Sequence, residues 1–339
     1  MAFQITIMPG GHTCEADDGT SILQAALDAG MNLPYGCRNG ACGACKGRIL
    51  DGQVDHGVAA DSALSAEDKA AGLALFCCAK PLSDISIECE GADRARDIPV
   101  RTMPCRVQKL ERLAPDVIAL HLKLPVNERL LFLAGQYIEF LLKDGQRRAF
   151  SLASAPHDDE LLQLHIRLIP GGLFTEQVFK VMKERDILRF EGPHGNFYLR
   201  EDSKKPMILL AGGTGFAPIK GIIEHALQNK LGRPMALYWG ARDRSGLYLS
   251  DLPQRWALEH VDVKYVPVLS EPTSTDAWTG RTGLVHQAVL DDYADLSDYQ
   301  VYACGAPAMI DAARVDFIAR GLPAEEFYAD AFAFTHNEP

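Results

Sequence analysis

Three cysteines crowd one short run, Cys37-Arg38-Asn39-Gly40-Ala41-Cys42-Gly43-Ala44-Cys45, with C-x4-C-x2-C spacing. Cys77 follows well downstream, with Cys78 beside it. Soft thiolates in this pattern, three in one loop and one remote, suit a [2Fe-2S] cluster. A zinc site is the other metal reading, but zinc usually takes paired short C-x-x-C knuckles. The loop must wrap its metal closely, so Gly36, Gly40 and Gly43 supply unusual backbone angles and room. Their amides can then point at sulfur. The fourth ligand falls to Cys77 or Cys78, the other being a small buried thiol. Cys14, Cys89 and Cys105 stand in strand-like contexts and read as core thiols.

A second set of residues lies mid-chain. Arg148-Ala149-Phe150-Ser151 follows the apolar run Gly135-Gln136-Tyr137-Ile138-Glu139-Phe140. Strand alternation puts Arg148 and Phe150 on one face. A flavin needs a cation for its phosphates, a flat apolar partner for its ring and a hydrogen bond near N5, which Arg148, Phe150 and Ser151 can supply in turn. The same four residues also suit any solvated strand edge. Pro170-Gly171-Gly172-Leu173-Phe174-Thr175 is a glycine turn ahead of a helix, where free amides suit a pyrophosphate. Gly192-Pro193-His194-Gly195-Asn196-Phe197 reads as a two-glycine turn.

The third set is nearer the end. The apolar strand Met207–Ala211 runs into Gly212-Gly213-Thr214-Gly215-Phe216-Ala217-Pro218, then a helix starting near Pro218. Such a turn presents amides to a diphosphate, although it is not G-x-G-x-x-G. Tyr302-Ala303-Cys304-Gly305-Ala306-Pro307-Ala308-Met309 follows another strand. After a further strand come Arg242, Asp243 and Arg244. The arginines tolerate a 2′-phosphate, whereas Asp243 opposes one and suits a ribose hydroxyl.

These groups require several elements to hold them. Two polar breaks, 91–99 and 200–206, divide the 339 residues into segments 1–93, 100–202 and 203–339. The first opens with strand alternation and a helix over Ser21–Ala29. The second shows short strands at Pro104–Arg112, Val117–Lys123, Tyr137–Leu142 and Leu161–Leu168, which suggests an antiparallel barrel. The third alternates helices with buried strands at Met207–Ala211, Met235–Gly240, Val261–Leu269 and Gln300–Cys304, which suggests a parallel sheet. The expected class is therefore multidomain α+β. Residues 1–98 hold 14 Asp+Glu and 7 Lys+Arg, a net −7 of the chain's −11. That balance argues against nucleic acid and anionic membrane, and an acidic first third suits a basic protein partner or a plain solvated surface. No basic start leads into a long apolar run and no span of about 18 apolar residues occurs, so the expected compartment is the cytoplasm.

Residues 1–90 resemble a plant-type ferredoxin of β-grasp fold, through Leu33-Pro34-Tyr35-Gly36-Cys37 and the loop that follows. Segments two and three resemble the ferredoxin–NADP reductase superfamily, through R-x-F-S, G-P-x-G-x-F, G-G-T-G-x-A-P and C-G-x-P-x-M. Together they resemble reductase components of bacterial oxygenases and the reductase partners of CDP-sugar dehydrases. The resemblance implies Cys37, Cys42, Cys45 and Cys77 as cluster ligands. It assigns Arg148 to flavin phosphate, Phe150 to the ring, Ser151 to N5, Gly172–Thr175 to pyrophosphate, and His165 and Arg167 to a strand lining FAD. It assigns Gly213, Thr214, Gly215 and Pro218 to the dinucleotide, with Arg242 near its ribose. It sets Cys304 and Gly305 beside the nicotinamide and flavin N5, and Phe332, with Phe334 behind it, near the isoalloxazine. Phe150 stands where the family more often has Tyr, so a hydroxyl is lost while stacking remains.

The implied activity is hydride transfer from NADH, with NADPH as a second donor, to FAD, then single electrons through the cluster to a redox partner protein. The partner would be an oxygenase, hydroxylase or dehydrase docking at the acidic first domain, with the reductase a monomer. Two other classes fit parts of the pattern: a free-standing flavin reductase or diaphorase, and a non-enzymatic metal-binding redox sensor. No His/His/carboxylate constellation for oxygen-activating iron is evident in the sequence.

Overall fold

A computed structural model describes residues 2–332, apart from Asn32, Cys37, Cys42, Ser62, 90–97 and Asp144. The chain divides into two compact units, Met1–Ile98 with Asp330–Pro339, and Pro99–Ala329. Among the described residues no helix is long and apolar enough to cross a membrane.

The first unit holds β1 (Ala2–Met8), β2 (His12–Asp17), α1 (Ile22–Asp28), β3 (Lys46–Asp51), β4 (Val54–Asp55), α2 (Ala66–Ala70), β5 (Leu73–Leu75), β6 (Lys80–Pro81) and β7 (Ile85–Glu88). Its sheet runs β2-β1-β7-β3-β5, with β1 and β7 parallel and the other neighbours antiparallel. Alternation buries Ile5 and Ile7 from β1 and Ile85 and Ile87 from β7. Ser21 caps α1 by accepting the Gln24 amide, and Ile22, Leu23, Ala25 and Ala26 are buried. This helix also anchors the cysteine segment, because the Leu23 amide donates to Phe76 O at 2.8 Å and the Ile22 amide to Ala79 O at 2.9 Å.

The second unit begins with β8 (Arg101–Ala114), β9 (Val117–Lys123), β10 (Tyr137–Leu141), β11 (Arg147–Ser151), β12 (Leu162–Arg167), α3 (Leu173–Lys180) and β13 (Ile187–His194). The antiparallel order is β11-β10-β13-β8-β9-β12. A bridge between Leu152 and Leu164 brings the two edges together, as in a barrel. Val107, Leu120, Leu122, Ile138, Phe140, Leu164, Ile166 and Phe190 fill its core. Each such buried side chain contributes roughly 1.5–3 kcal/mol. The expected two-glycine turn at 192–195 differs in one respect: Gly192, Pro193 and His194 end β13. Pro193 fits there because the register against β10 shifts between Tyr137 and Glu139, where a missing N–H breaks no regular ladder.

The rest of this unit is β14 (Met207–Gly212), α4 (Phe216–Gln228), β15 (Met235–Ala241), α5 (Asp251–Glu259), β16 (Val263–Leu269), β17 (Arg281–Thr282), α6 (Val285–Asp292), β18 (Gln300–Gly305), α7 (Pro307–Ala319) and the start of β19 (Phe327–Ala331), whose Asp330 and Ala331 are counted with the first unit. The sheet order is β17-β16-β15-β14-β18-β19, and the pairs from β17 to β18 are parallel. β14 therefore has β15 on one side and β18 on the other. The order in which strands are added reverses there, and ligands of open parallel sheets bind at the carboxyl ends of such strands.

Candidate functional site

Of the four expected cluster ligands, Cys37 and Cys42 lie outside the described residues. Cys45 and Cys77 come together: the Cys77 amide donates to Cys45 Sγ at 3.4 Å. Cys78 Sγ lies 3.6 Å from Cys77 Sγ. Gly40 adopts φ +79°, and a Cβ there would fall 2.7 Å from Cys78 Sγ and 2.8 Å from Val58 O. The loop thus needs glycine at 40 to close over these thiols. A soft donor set with an amide aimed at sulfur fits an iron–sulfur group. Cys14, Cys89 and Cys105 are buried, and burial pushes the thiol of Cys14 up to about 11 and that of Cys105 up to about 12.

β11 pairs with β10 so that Phe150 faces Ile138 and Arg148 faces Phe140. The half-buried Phe150 ring packs 5.3 Å from Phe174 and 5.9 Å from Phe140. Phe174 lies in the first turn of α3, directly after the glycine turn, so the R-x-F-S strand and that helix start converge. Arg148 donates to Arg147 O at 2.8 Å and to the Gln146 side chain. Ser151 is buried at the strand's end opposite Tyr137. The Thr175 hydroxyl accepts the Ile169 amide at 3.1 Å and so braces the turn. A Cβ on Gly172 would meet Thr175 Oγ at 2.7 Å. On the opposite face of β11, Arg147 bonds Glu139 and Glu191, with His194 beside them. Arg147 is itself the cation between those carboxylates.

β12 carries His165 and Arg167 toward the nucleotide half. Arg167 donates to Asp116 at 2.7 Å, and its Nη2 would lie 3.6 Å from a Cβ on Gly213. His165 is buried, and its Nε2 finds no hydrogen-bond partner among the described residues. A buried ring atom left open, a half-buried arginine and a half-buried aromatic fit a large polar cofactor such as a flavin nucleotide.

The two nicotinamide motifs interlock. A Cβ on Gly212 would meet Met309 Sδ at 2.7 Å, and one on Gly305 would meet Gly212 Cα at 3.1 Å. Gly213 takes φ +53°. Helix α4 starts just beyond, with no side-chain cap and no acidic residue in its first turn. Pro218 sits in that turn, where its missing N–H is harmless. An uncapped helix start behind a glycine turn fits a diphosphate. At the end of β15, Asp243 accepts from Ser245 and the Gly246 amide, and Arg244 donates to Asp276 O. The exposed Arg242 side chain makes no hydrogen bond or ion pair with a described residue. Phe332 is half-buried beyond β19, and Phe334 lies outside the described residues.

Motif reading missed Lys220 and Tyr248. Lys220 is buried on α4, donating to Ala153 O at 3.1 Å and to Glu224 at 2.7 Å. Its position inside the apolar run Pro218-Ile219-Lys220-Gly221-Ile222-Ile223 was the available signal. Tyr248 has no such signal; its partner comes from β12.

Comparison with known proteins agrees along the chain. Residues 5–82 match the 2Fe-2S iron-sulfur cluster binding domain, 104–198 the oxidoreductase FAD-binding domain, and 209–315 the oxidoreductase NAD-binding domain. The chain is 42% identical over 332 residues to the CDP-6-deoxy-L-threo-D-glycero-4-hexulose-3-dehydrase reductase of Yersinia pestis, covering 98% of this chain and 99% of that one. It is 36% identical to terephthalate 1,2-dioxygenase, reductase component 1, of Comamonas sp., covering 93% of each. Among solved structures it resembles the Amycolatopsis cytochrome P450 reductase GcoB, with TM-score 0.80, 35% identity, and coverage of 97% and 98%.

Proposed function

Because the chain belongs to the three-domain iron–sulfur flavoprotein reductases of the ferredoxin–NADP reductase superfamily, we propose that it serves a separate partner protein as its electron source. When bound, the dinucleotide supplies a hydride, the flavin accepts that electron pair, and the [2Fe-2S] group passes electrons on singly. The observation that carries the reading is the interlock of Gly212 and Gly215 with Cys304 and Gly305, with Arg167 approaching the same turn.

The chain's own residues position these groups. Cys37, Cys42, Cys45 and Cys77 hold the cluster. Arg148 neutralises flavin phosphate, Phe150 supports the ring, Ser151 offers a hydroxyl near N5, and Phe332 covers the ring. Gly213, Thr214 and Gly215 present amides to the dinucleotide. Cys304 packs against the nicotinamide and is not a covalent nucleophile. NADH is the preferred donor, since Asp243 sets a carboxylate beside Arg242 and disfavours a 2′-phosphate. The partner is an oxygenase, a hydroxylase or a sugar dehydrase that meets the acidic first domain in the cytoplasm, with the reductase monomeric. Domain limits at 1–93, 100–202 and 203–339 go with this reading.

The test is an anaerobic titration of cofactor-replete protein with NADH, then NADPH, followed by visible absorbance. Bleaching of both flavin and cluster bands, at lower NADH than NADPH, is expected. No bleaching with either donor would defeat the reading.

A further inference from the structure

Tyr248 lies in the segment between β15 and α5, and its hydroxyl stands 3.1 Å from His165 Nδ1 on β12. The two rings meet edge-on at 5.4 Å. His165 is buried and Tyr248 is half-buried. Burial lowers the imidazole's pKa to about 3 and raises that of the phenol, so neither group is charged at working pH. Tyr248 is the one hydrogen-bond partner of the His165 ring among the described residues.

Tyr248 is itself held by the dinucleotide turn. Its ring stands edge-on to Trp239 at 5.1 Å. Trp239 stacks on Phe216 at 4.0 Å with 13° between planes. Trp239 Nε1 donates to Gly213 O at 2.9 Å. Contacts therefore run unbroken from the glycine turn through Trp239 and Tyr248 to His165, two residues from Arg167.

We propose that Tyr248 and His165 are positioning residues for hydride transfer, their hydrogen bond fixing the register of β12 against the glycine turn. The inference rests on the reductase reading above. Hydride transfer is sensitive to small misplacement of the reacting groups, and a single bond between the two supporting elements restricts sliding. Neither residue touches the reacting atoms in this account; each acts through the strand or turn it holds.

The test is single-turnover flavin bleaching by NADH in anaerobic holoprotein. Tyr248→Phe removes the hydroxyl and keeps the ring. It should lower the limiting rate about tenfold, while flavin content, cluster EPR signal and half-saturating NADH stay within about twofold. His165→Leu should match its limiting rate, compared per bound flavin because His165 also lines the flavin site, and the double variant should be no slower than either single, because the same bond is lost in all three. His165→Asn, whose amide can replace Nδ1, should recover most of the rate. A Tyr248→Phe rate within about twofold of wild type overturns the proposal, as do multiplying effects in the double variant. Should His165→Leu fail to fold, Tyr248→Phe and His165→Asn decide the matter. Wild-type flavin that NADH does not bleach would instead defeat the reductase reading, which keeps the two failures apart.

Discussion

Gly215 presses so closely on Cys304 that any Cβ at position 215 would overlap the Cys304 carbonyl oxygen. The turn after β14 and the end of β18 thus share one backbone-to-backbone contact. Gly215→Ala must push the two apart, with a stability loss of roughly 1–3 kcal/mol. Flavin and cluster content should persist while reduction by NADH falls at least about tenfold. Normal single-turnover reduction in this variant would mean that the contact does not shape the dinucleotide site.

Arg148 meets only the Arg147 carbonyl and the Gln146 side chain among its described partners. Both are neutral acceptors, so its charge remains available to a phosphate. Arg148→Ala should weaken FAD retention by about tenfold or more. Flavin per protein after gel filtration measures this; unchanged content removes the assigned role.

The Cys77 amide aimed at Cys45 Sγ joins the remote cysteine to the loop. Cys77→Ser should abolish the cluster's absorbance and EPR signal and leave flavin bleaching by NADH in place. A retained cluster would transfer the fourth ligand to Cys78.

Cys304 is fully buried at the end of β18. Cys304→Ala removes only its sulfur. Flavin content should not change, and single-turnover reduction should slow by about three- to tenfold through looser nicotinamide packing. An unchanged rate would reduce Cys304 to a core thiol.

Asp292 gives a pH signature of its own. Burial works against its charge, yet hydrogen bonds from Lys264, Tyr238 and Arg281 outweigh that and hold it at about 2. A carboxylate depressed in the folded state adds stability above its unfolded value, and that stability drains away as pH falls from about 4 toward the folded one. The contribution is on the order of 2 kcal/mol at neutral pH. Asp292→Asn should therefore be less stable at pH 7 and approach wild type near pH 2, as urea unfolding across that range would measure. A constant difference at all pH values would contradict the assignment.

Much of this is legible in the sequence alone. Val117–Lys123 was expected as a strand and is β9 residue for residue. Glycine and cysteine motifs read well because they report local demands, such as the φ of +79° at Gly40. Strand limits read less well: β8 runs from Arg101 to Ala114, past the expected Pro104–Arg112, because ladder pairing with β13 and β9 extends it. Lys220 and Tyr248 escaped for a different reason. Their partners, Ala153 O and His165, lie on strands remote in sequence, and no local pattern records such a meeting.

The meeting of α4 with the chain after β11 has a consequence for recombination. A Cβ on Gly221 would come within 3.0 Å of Ser154 O, and Lys220 is tethered one residue earlier to Ala153 O. Replacing the nucleotide half with that of a relative is then not decided at the covalent join near Pro206. Compatibility resides in a buried seam, Leu152–Ser154 against Lys220–Gly221, and a donor with a larger side chain at 221 would have to bring its own strand with it.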